Sequence, residues 1–251
     1  AWRIPFLSSF VLVAIGLYVR LKLTEAPIFI AALNKPKPKA LPMMEVIVTH
    51  FKPFFLGMLI CMAGYVLFYI MIAFSQIYAK SAPTVSEAGY AMGLGFSPQI
   101  FTALLMCSAI SLAITIAISG KYIDIVGRRI WLIWTTVGVA LFGLVLPYFL
   151  ENGTTLSLFW FLIIGMGLIG MGYGPLASFL PELFPTHARY SGASLTYNIA
   201  GLFGASVAAI IALPLNANYG LKGVGIYLTL NAVLSLIGLW FITETRDRQL
   251  L

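Results

Sequence analysis

Charge in this chain is confined to short stretches, and what lies between them is long and apolar. Residues 53–79, 130–150 and 223–243 contain no Asp, Glu, Lys or Arg. A helix of about 20 such residues rises about 30 Å, the thickness of the hydrocarbon core of a bilayer. Three more runs of this kind lie near 99–119, 156–180 and 191–213. A shorter one, 4–19, is flanked by Arg3 and Arg20, whose side chains can snorkel to the interface. With 61% hydrophobic and 9% charged residues and a mean hydropathy of +0.98, an ordinary soluble globule is excluded. The expected fold class is an all-α polytopic membrane protein with seven transmembrane helices. Several are expected to tilt, because their charge-free stretches exceed the bilayer.

The basic residues set the topology. The net charge is +7, yet Lys and Arg punctuate apolar runs and form no patch. Nucleic acid is therefore excluded as a partner, and the lipid bilayer is expected. On a seven-span layout all 15 Lys and Arg residues except Arg3, Lys80 and Lys222 fall on one side. The positive-inside rule then places the C-terminus in the cytoplasm and the N-terminus outside. A chain that begins at Ala1 with no targeting signal fits that arrangement poorly, so further spans are expected to precede Ala1. The long connection between the first two spans carries N-K-P-K-P-K at 34–39, a solvated linker. Its flanks, near 27–33 and 42–50, have room for short interfacial helices.

None of the 8 acidic residues and neither of the 2 histidines falls in the middle of a span. No intramembrane proton-relay group is visible. H-x-x-x-H, paired mid-membrane aspartates and G-x-S-x-G are all absent, so no enzyme activity, metal site or cofactor is expected. Cys61 and Cys107 each lie inside an apolar run and read as packing residues.

The densest charge is at 120–129, G-K-Y-I-D-I-V-G-R-R. Gly120 is expected to end one helix and Gly127 to allow a tight reversal, with Asp124 close enough to cap or pair across the turn. Arg128 and Arg129 begin the next helix, where two cations oppose the helix dipole and need an acidic partner. Glu182, in P-E-L-F-P-T-H-A-R-Y-S-G at 181–192, is the candidate two spans later. Arg189 of the same turn is the candidate partner for Asp124. Charge anchoring of the turns, with no switching role, accounts for the same residues.

These two turns together resemble the charge clusters in the C-terminal half of major facilitator superfamily transporters, whose loop motif is G-x-x-x-D-x-x-G-R-[RK]. Three further stretches, A-W-R-I-P-F at 1–6, R-L-K-L-T-E-A-P-I-F at 20–29 and E-L-F-P-T-H-A-R-Y-S-G-A-S-L-T-Y-N at 182–198, are similar to the metabolite:proton symporter branch. That branch carries organic acids, proline and betaines. The resemblance implies that the last six helices form the C-terminal half of a major facilitator fold. It divides the chain into the last helix of an N-terminal half (1–21), a cytoplasmic central loop (22–52), a six-helix C-terminal half (53–243) and a cytoplasmic tail (244–251). It also implies that the charged turns latch one state of the transporter.

Substrate sites in such folds lie near the midplane, on inward helix faces. Tyr65, Tyr69, Ile72 and Gln76 recur at helical spacing on one stripe; two buried phenols with an amide point to a wet cavity, while interfacial tyrosines and helix–helix hydrogen bonds account for the same stripe. Tyr173 sits in a glycine-rich run ending at Pro175, which suits close packing and a bendable helix. Asn198 shares a face with Ser194, Gly201 and Ala205 and either binds substrate or bridges helices. Ser108, Ser111, Thr115 and Ser119 read as a packing stripe. The expected function is secondary active transport of a small organic metabolite across the bacterial inner membrane by alternating access, with protons as the coupling ion and an N-terminal transporter half as partner. The alternative is a truncated remnant or a regulatory half that does not transport alone.

Overall fold

The computed structural model describes residues 3–22 and 42–244. The chain divides into two compact units, Ala1–Lys39 and Ala40–Leu251. In the first unit α1 (Arg3–Lys22) is one apolar 20-residue helix. The linker expected at 34–39 and the helix near 27–33 lie outside the described residues, as do Arg246 and Arg248.

The second unit opens with a short helix, α2 (Pro42–Thr49). Five longer helices follow: α3 (Phe51–Lys80), α4 (Pro98–Val126), α5 (Arg128–Glu151), α6 (Thr155–Glu182) and α7 (Arg189–Phe241). All five are long and apolar enough to cross a membrane. Their starts follow local chemistry. Ser97 accepts the amide of Ile100 at 3.4 Å ahead of Pro98, and Thr154 accepts the amide of Ser157 at 3.2 Å.

Helix α7, at 53 residues, would reach about 80 Å if straight, far beyond a bilayer. It breaks at Gly220, whose φ of 67° and ψ of −171° only glycine adopts readily. A Cβ there would come within 2.6 Å of the Tyr90 ring. The loop 81–97 holds the break from outside. Ser86 Oγ donates to the Ala217 carbonyl at 2.7 Å, and Asn216 Nδ2 donates to that of Ala91 at 2.9 Å. Counting the two limbs of α7 separately, residues 42–244 hold the six expected crossings, and α1 is the helix expected as the seventh.

Two expected loops contract to single residues. The sequence places a connection between 213 and 223, but the helix continues through Pro214 and turns only at Gly220. The sequence also places a turn across 120–129, yet α4 runs through Gly120 to Val126. Only Gly127, at φ 100°, separates it from α5. Gly120 does not end a helix. It lies in mid-helix with open space where a Cβ would go. Charged residues continue a helix as readily as apolar ones, so a change in polarity does not mark its end.

Within the unit the helices approach most closely where side chains are small. Gly167, Gly170 and Gly174 of α6 lie against Ser111, Thr115 and Ser119 of α4. Ser111 Oγ donates to the Ile163 carbonyl at 3.0 Å, and Ser119 Oγ reaches that of Gly170 at 3.4 Å. Lipid removes the hydrophobic incentive to associate, so this close backbone contact and its hydroxyl bonds do the joining. Ser235 of α7 enters the ladder of α3 itself, donating to the Leu59 carbonyl at 2.6 Å and accepting the Ala63 amide at 3.0 Å. Gly170→Leu is expected to separate α4 from α6 and cost roughly 1–3 kcal/mol. Gly120→Ala, on an open helix face, should gain about 0.5–1 kcal/mol. Thermal unfolding in detergent distinguishes the two.

Candidate functional site

All six crossings bring one end to a common charged face. There the sequence meets a conflict with helix electrostatics, because Arg128 is the first residue of α5 and Glu182 the last of α6. Each opposes the dipole of its own helix. The structure pairs them: Arg128 Nη1 and Glu182 Oε1 form an ion pair with side chains only 16% and 15% exposed. Asp124 lies one helical turn before Arg128, with its Oδ1 3.7 Å from Arg128 Nη2, and is mostly exposed.

Arg129 does something else. Its Nε donates to the Leu239 carbonyl at 2.8 Å and its Nη2 to that of Trp240 at 3.1 Å, capping the end of α7. In return Glu244 accepts the amides of Arg128 and Arg129 at 3.2 and 3.0 Å, capping the start of α5. A cation thus sits on a helix C-terminus and an anion on an N-terminus, both favourable. Gly127 makes room for this, since a Cβ there would lie 3.0 Å from Glu244 Oε2. The sequence places Glu244 in a cytoplasmic tail, because nothing local ties it to a residue more than 110 positions earlier. The expected pairing of Arg189 with Asp124 does not form. Arg189 Nε is buried without a hydrogen-bond partner, while Asp124 stays with Arg128 on the next turn of its own helix.

Further into the membrane the helices enclose a cavity of about 410 Å³. Tyr65, Tyr69, Tyr173 and Tyr197 line it together with Thr135 and Thr136 of α5 and Leu112 and Ile116 of α4. The phenols of Tyr65 and Tyr173 both interact with Tyr197, and the Tyr65 and Tyr197 rings are 5.0 Å apart at 49°. The two threonines turn their hydroxyls back to the carbonyls of Trp131 and Leu132, at 3.0 and 2.7 Å. The phenols are therefore the polar groups this wall offers a ligand. Among the described residues, no carboxylate, amine, guanidinium or imidazole lines it.

Two expected cavity residues lie elsewhere. Helix α3 contains a π turn at Ile70–Phe74. One extra residue in a turn rotates everything after it by about 100° against an unbroken helix, so Gln76 leaves the tyrosine stripe and is exposed. Asn198 is also exposed, with its Nδ2 bonded to the Ser194 carbonyl at 2.8 Å one turn back. Its neighbour Tyr197 takes the cavity position. The aromatic residue one step from the amide was the available signal. Ser108, Ser111, Thr115 and Ser119 stay outside the cavity lining, and Cys61 is buried while Cys107 is exposed.

Residues 90–251 match the "Sugar (and other) transporter" family. The chain belongs to that family, within the major facilitator superfamily. A Haemophilus influenzae protein, whose name assigns it to metabolite transport provisionally, is 90% identical over 100% of this chain and 56% of its own length. The inner membrane metabolite transport protein YhjE of Escherichia coli is 40% identical over 99% of this chain and 55% of its own length. The proline/betaine transporter of Salmonella typhimurium is 27% identical over 99% of the chain and 49% of its own length. The chain spans about half the length of the curated relatives it matches. No solved structure matches it significantly. As a family member, the chain contributes six crossings that form the C-terminal half of the major facilitator fold.

Two outcomes test the charged face. Arg128→Ala leaves Glu182 buried without a counter-charge and is expected to cost on the order of 3 kcal/mol in detergent unfolding. The exchange Arg128→Glu with Glu182→Arg should recover most of it, since each new charge suits its helix dipole; no recovery would show that charge pairing is not what matters there. Glu244→Ala removes the cap of α5 and should cost about 1–2 kcal/mol, with Glu244→Gln losing less.

Proposed function

We propose that these residues form the C-terminal half of a secondary active transporter that moves a small organic metabolite across the bacterial inner membrane by alternating access. The observation that carries the reading is the cavity walled by Tyr65, Tyr69, Tyr173 and Tyr197, inside a helical unit of a transporter family. Its size suits a solute of a few carbons, and its apolar wall with a few convergent hydroxyls is typical of small-molecule sites. A neutral wall accommodates a zwitterion such as an amino acid or a betaine. An organic acid would take its counter-charge from outside this wall. Relatives named for metabolite and for proline/betaine transport support the class.

On this reading residues 1–21 end an N-terminal half, 22–52 form the central loop and the C-terminus is cytoplasmic, in keeping with the basic residues crowded on that side. The Arg128–Glu182 pair, with Asp124 beside it, serves as the latch. Its support is energetic: the pair stands against both helix dipoles, an orientation that stability alone would reverse. Gly120, Gly127, Arg129 and Arg189 belong to the latch as framing residues, through the helix junction and its caps. Protons are the coupling ion. Among the described residues no carboxylate or histidine lines the cavity, so this reading puts the coupling group outside the described wall.

The test is uptake into proteoliposomes made with the protein that the native locus produces, using labelled proline, glycine betaine, 2-oxoglutarate and shikimate. Saturable uptake of one of them, abolished by a protonophore, is expected. Tyr65→Phe and Tyr197→Phe should each raise the half-saturation concentration roughly tenfold, the worth of one lost hydrogen bond to substrate. No uptake of any would favour a half that does not transport alone, and unchanged saturation in both variants would remove the phenols from the site.

A further inference from the structure

Helix α2 is short and largely apolar, with Glu45 its one charged residue. Val46 is fully buried in the same hydrophobic cluster as Leu183, Phe184 and Ala188 of the turn between α6 and α7. That contact fixes the helix and sets two polar residues at its edge. Glu45 projects from α2, and His50 stands at the joint between α2 and α3. His187 meets them from the turn. Glu45 Oε1 is 2.6 Å from His187 Nε2 and 3.9 Å from His50 Nε2, and the three ligand atoms all lie within 4.8 Å of one another.

We propose that Glu45, His50 and His187 form a binding site for a divalent transition metal of the zinc class. Two imidazoles and one carboxylate are a donor set for Zn²⁺ or Co²⁺. Mg²⁺ and Ca²⁺ demand oxygen ligands. Zinc bonds of about 2.0–2.2 Å in a tetrahedron set ligand atoms roughly 3.3–3.5 Å apart. The spacings of 2.6 and 3.9 Å bracket that value, and the third is within 4.8 Å, so the donors stand within a side-chain shift of zinc geometry. A second observation points the same way. Glu45 Oε2 is buried and has no hydrogen-bond partner, on a side chain that is only 18% exposed. A metal at Oε1, or shared by both oxygens, compensates that desolvated charge.

The site is open on one side. The His187 side chain is 47% exposed, which leaves the fourth coordination position to water, and the three ligands come from separate elements. A bound ion therefore ties the segment leading into α3 to the turn joining α6 and α7, elements otherwise held by the contacts around Val46. Glu182, the partner of Arg128, ends the helix immediately before that turn.

The experiment is calorimetric titration of the full chain in detergent, free of any tag and stripped of metal, with ZnCl₂ and separately with MgCl₂. One Zn²⁺ per chain is expected and no Mg²⁺. His187→Ala and His50→Ala should each weaken Zn²⁺ binding by roughly tenfold or more, by loss of a direct ligand. His187 is exposed enough that its variant should keep the wild-type elution volume and helical content. As an independent readout, Co²⁺ should give the intense visible absorption of tetrahedral coordination in the wild type and lose it in both variants. Absence of Zn²⁺ binding overturns the site. Binding unchanged in either histidine variant overturns the three-ligand assignment, and binding unchanged in both identifies an adventitious ion only.

Discussion

Hydrocarbon offers no hydrogen-bond partner to a backbone amide or carbonyl, and this constraint organises the molecule. Inside the bilayer it forces helices, because only a helix satisfies its own backbone. At the helix ends it fails, since the first amides and last carbonyls have no partner within the helix. The chain answers by bringing ends together. Glu244 satisfies the start of α5 while Arg129 satisfies the end of α7, so two helices distant in sequence complete each other. This reciprocal cap fixes where Arg128 stands, and with it the ion pair to Glu182.

The second constraint follows from the same solvent. Apolar surface gains nothing by leaving lipid for protein, so association depends on close backbone approach and on hydroxyls that find carbonyls across the contact. Gly167, Gly170 and Gly174 against Ser111, Thr115 and Ser119 provide this between α4 and α6. Much of α4 elsewhere presents apolar side chains outward, which in a membrane is ordinary solvation. The helix that supplies Tyr65 and Tyr69, α3, carries a π turn at Ile70–Phe74 and takes the hydroxyl of Ser235 into its ladder, and α7 carries a second π turn at Leu202–Ser206. The π turn of α3 sets Gln76 off the tyrosine stripe.

Much of the candidate site was legible residue by residue. Tyr65 and Tyr69 stand on one stripe before the π turn, where α-helical spacing holds. Tyr173 stands in the glycine-rich run that packs α6 against α4. Gln76 was misplaced because a π turn has no sequence signature in an apolar run. Asn198 was misplaced by one residue, and in a helix one residue is about 100° of rotation. Glu45 and His187 gave no metal signal, since they lie far apart in the chain and in no spaced motif.

By itself the sequence determined the class, the number of crossings and the charged face. Hydrophobic length and the distribution of Lys and Arg respond to the bilayer, and that response is local to each segment. Arg128 needed an acid, and the sequence held Glu182 at the same level two spans on. Tertiary structure alone decided what depends on rotation and on contacts between distant segments: that Tyr197 and not Asn198 faces the cavity, that Arg129 caps α7, that Arg189 leaves Asp124 to Arg128, and that Glu45 and both histidines converge. Hydropathy fixes how deep a residue sits in the membrane. Its direction around the helix axis comes from packing against neighbours that sequence distance does not reveal.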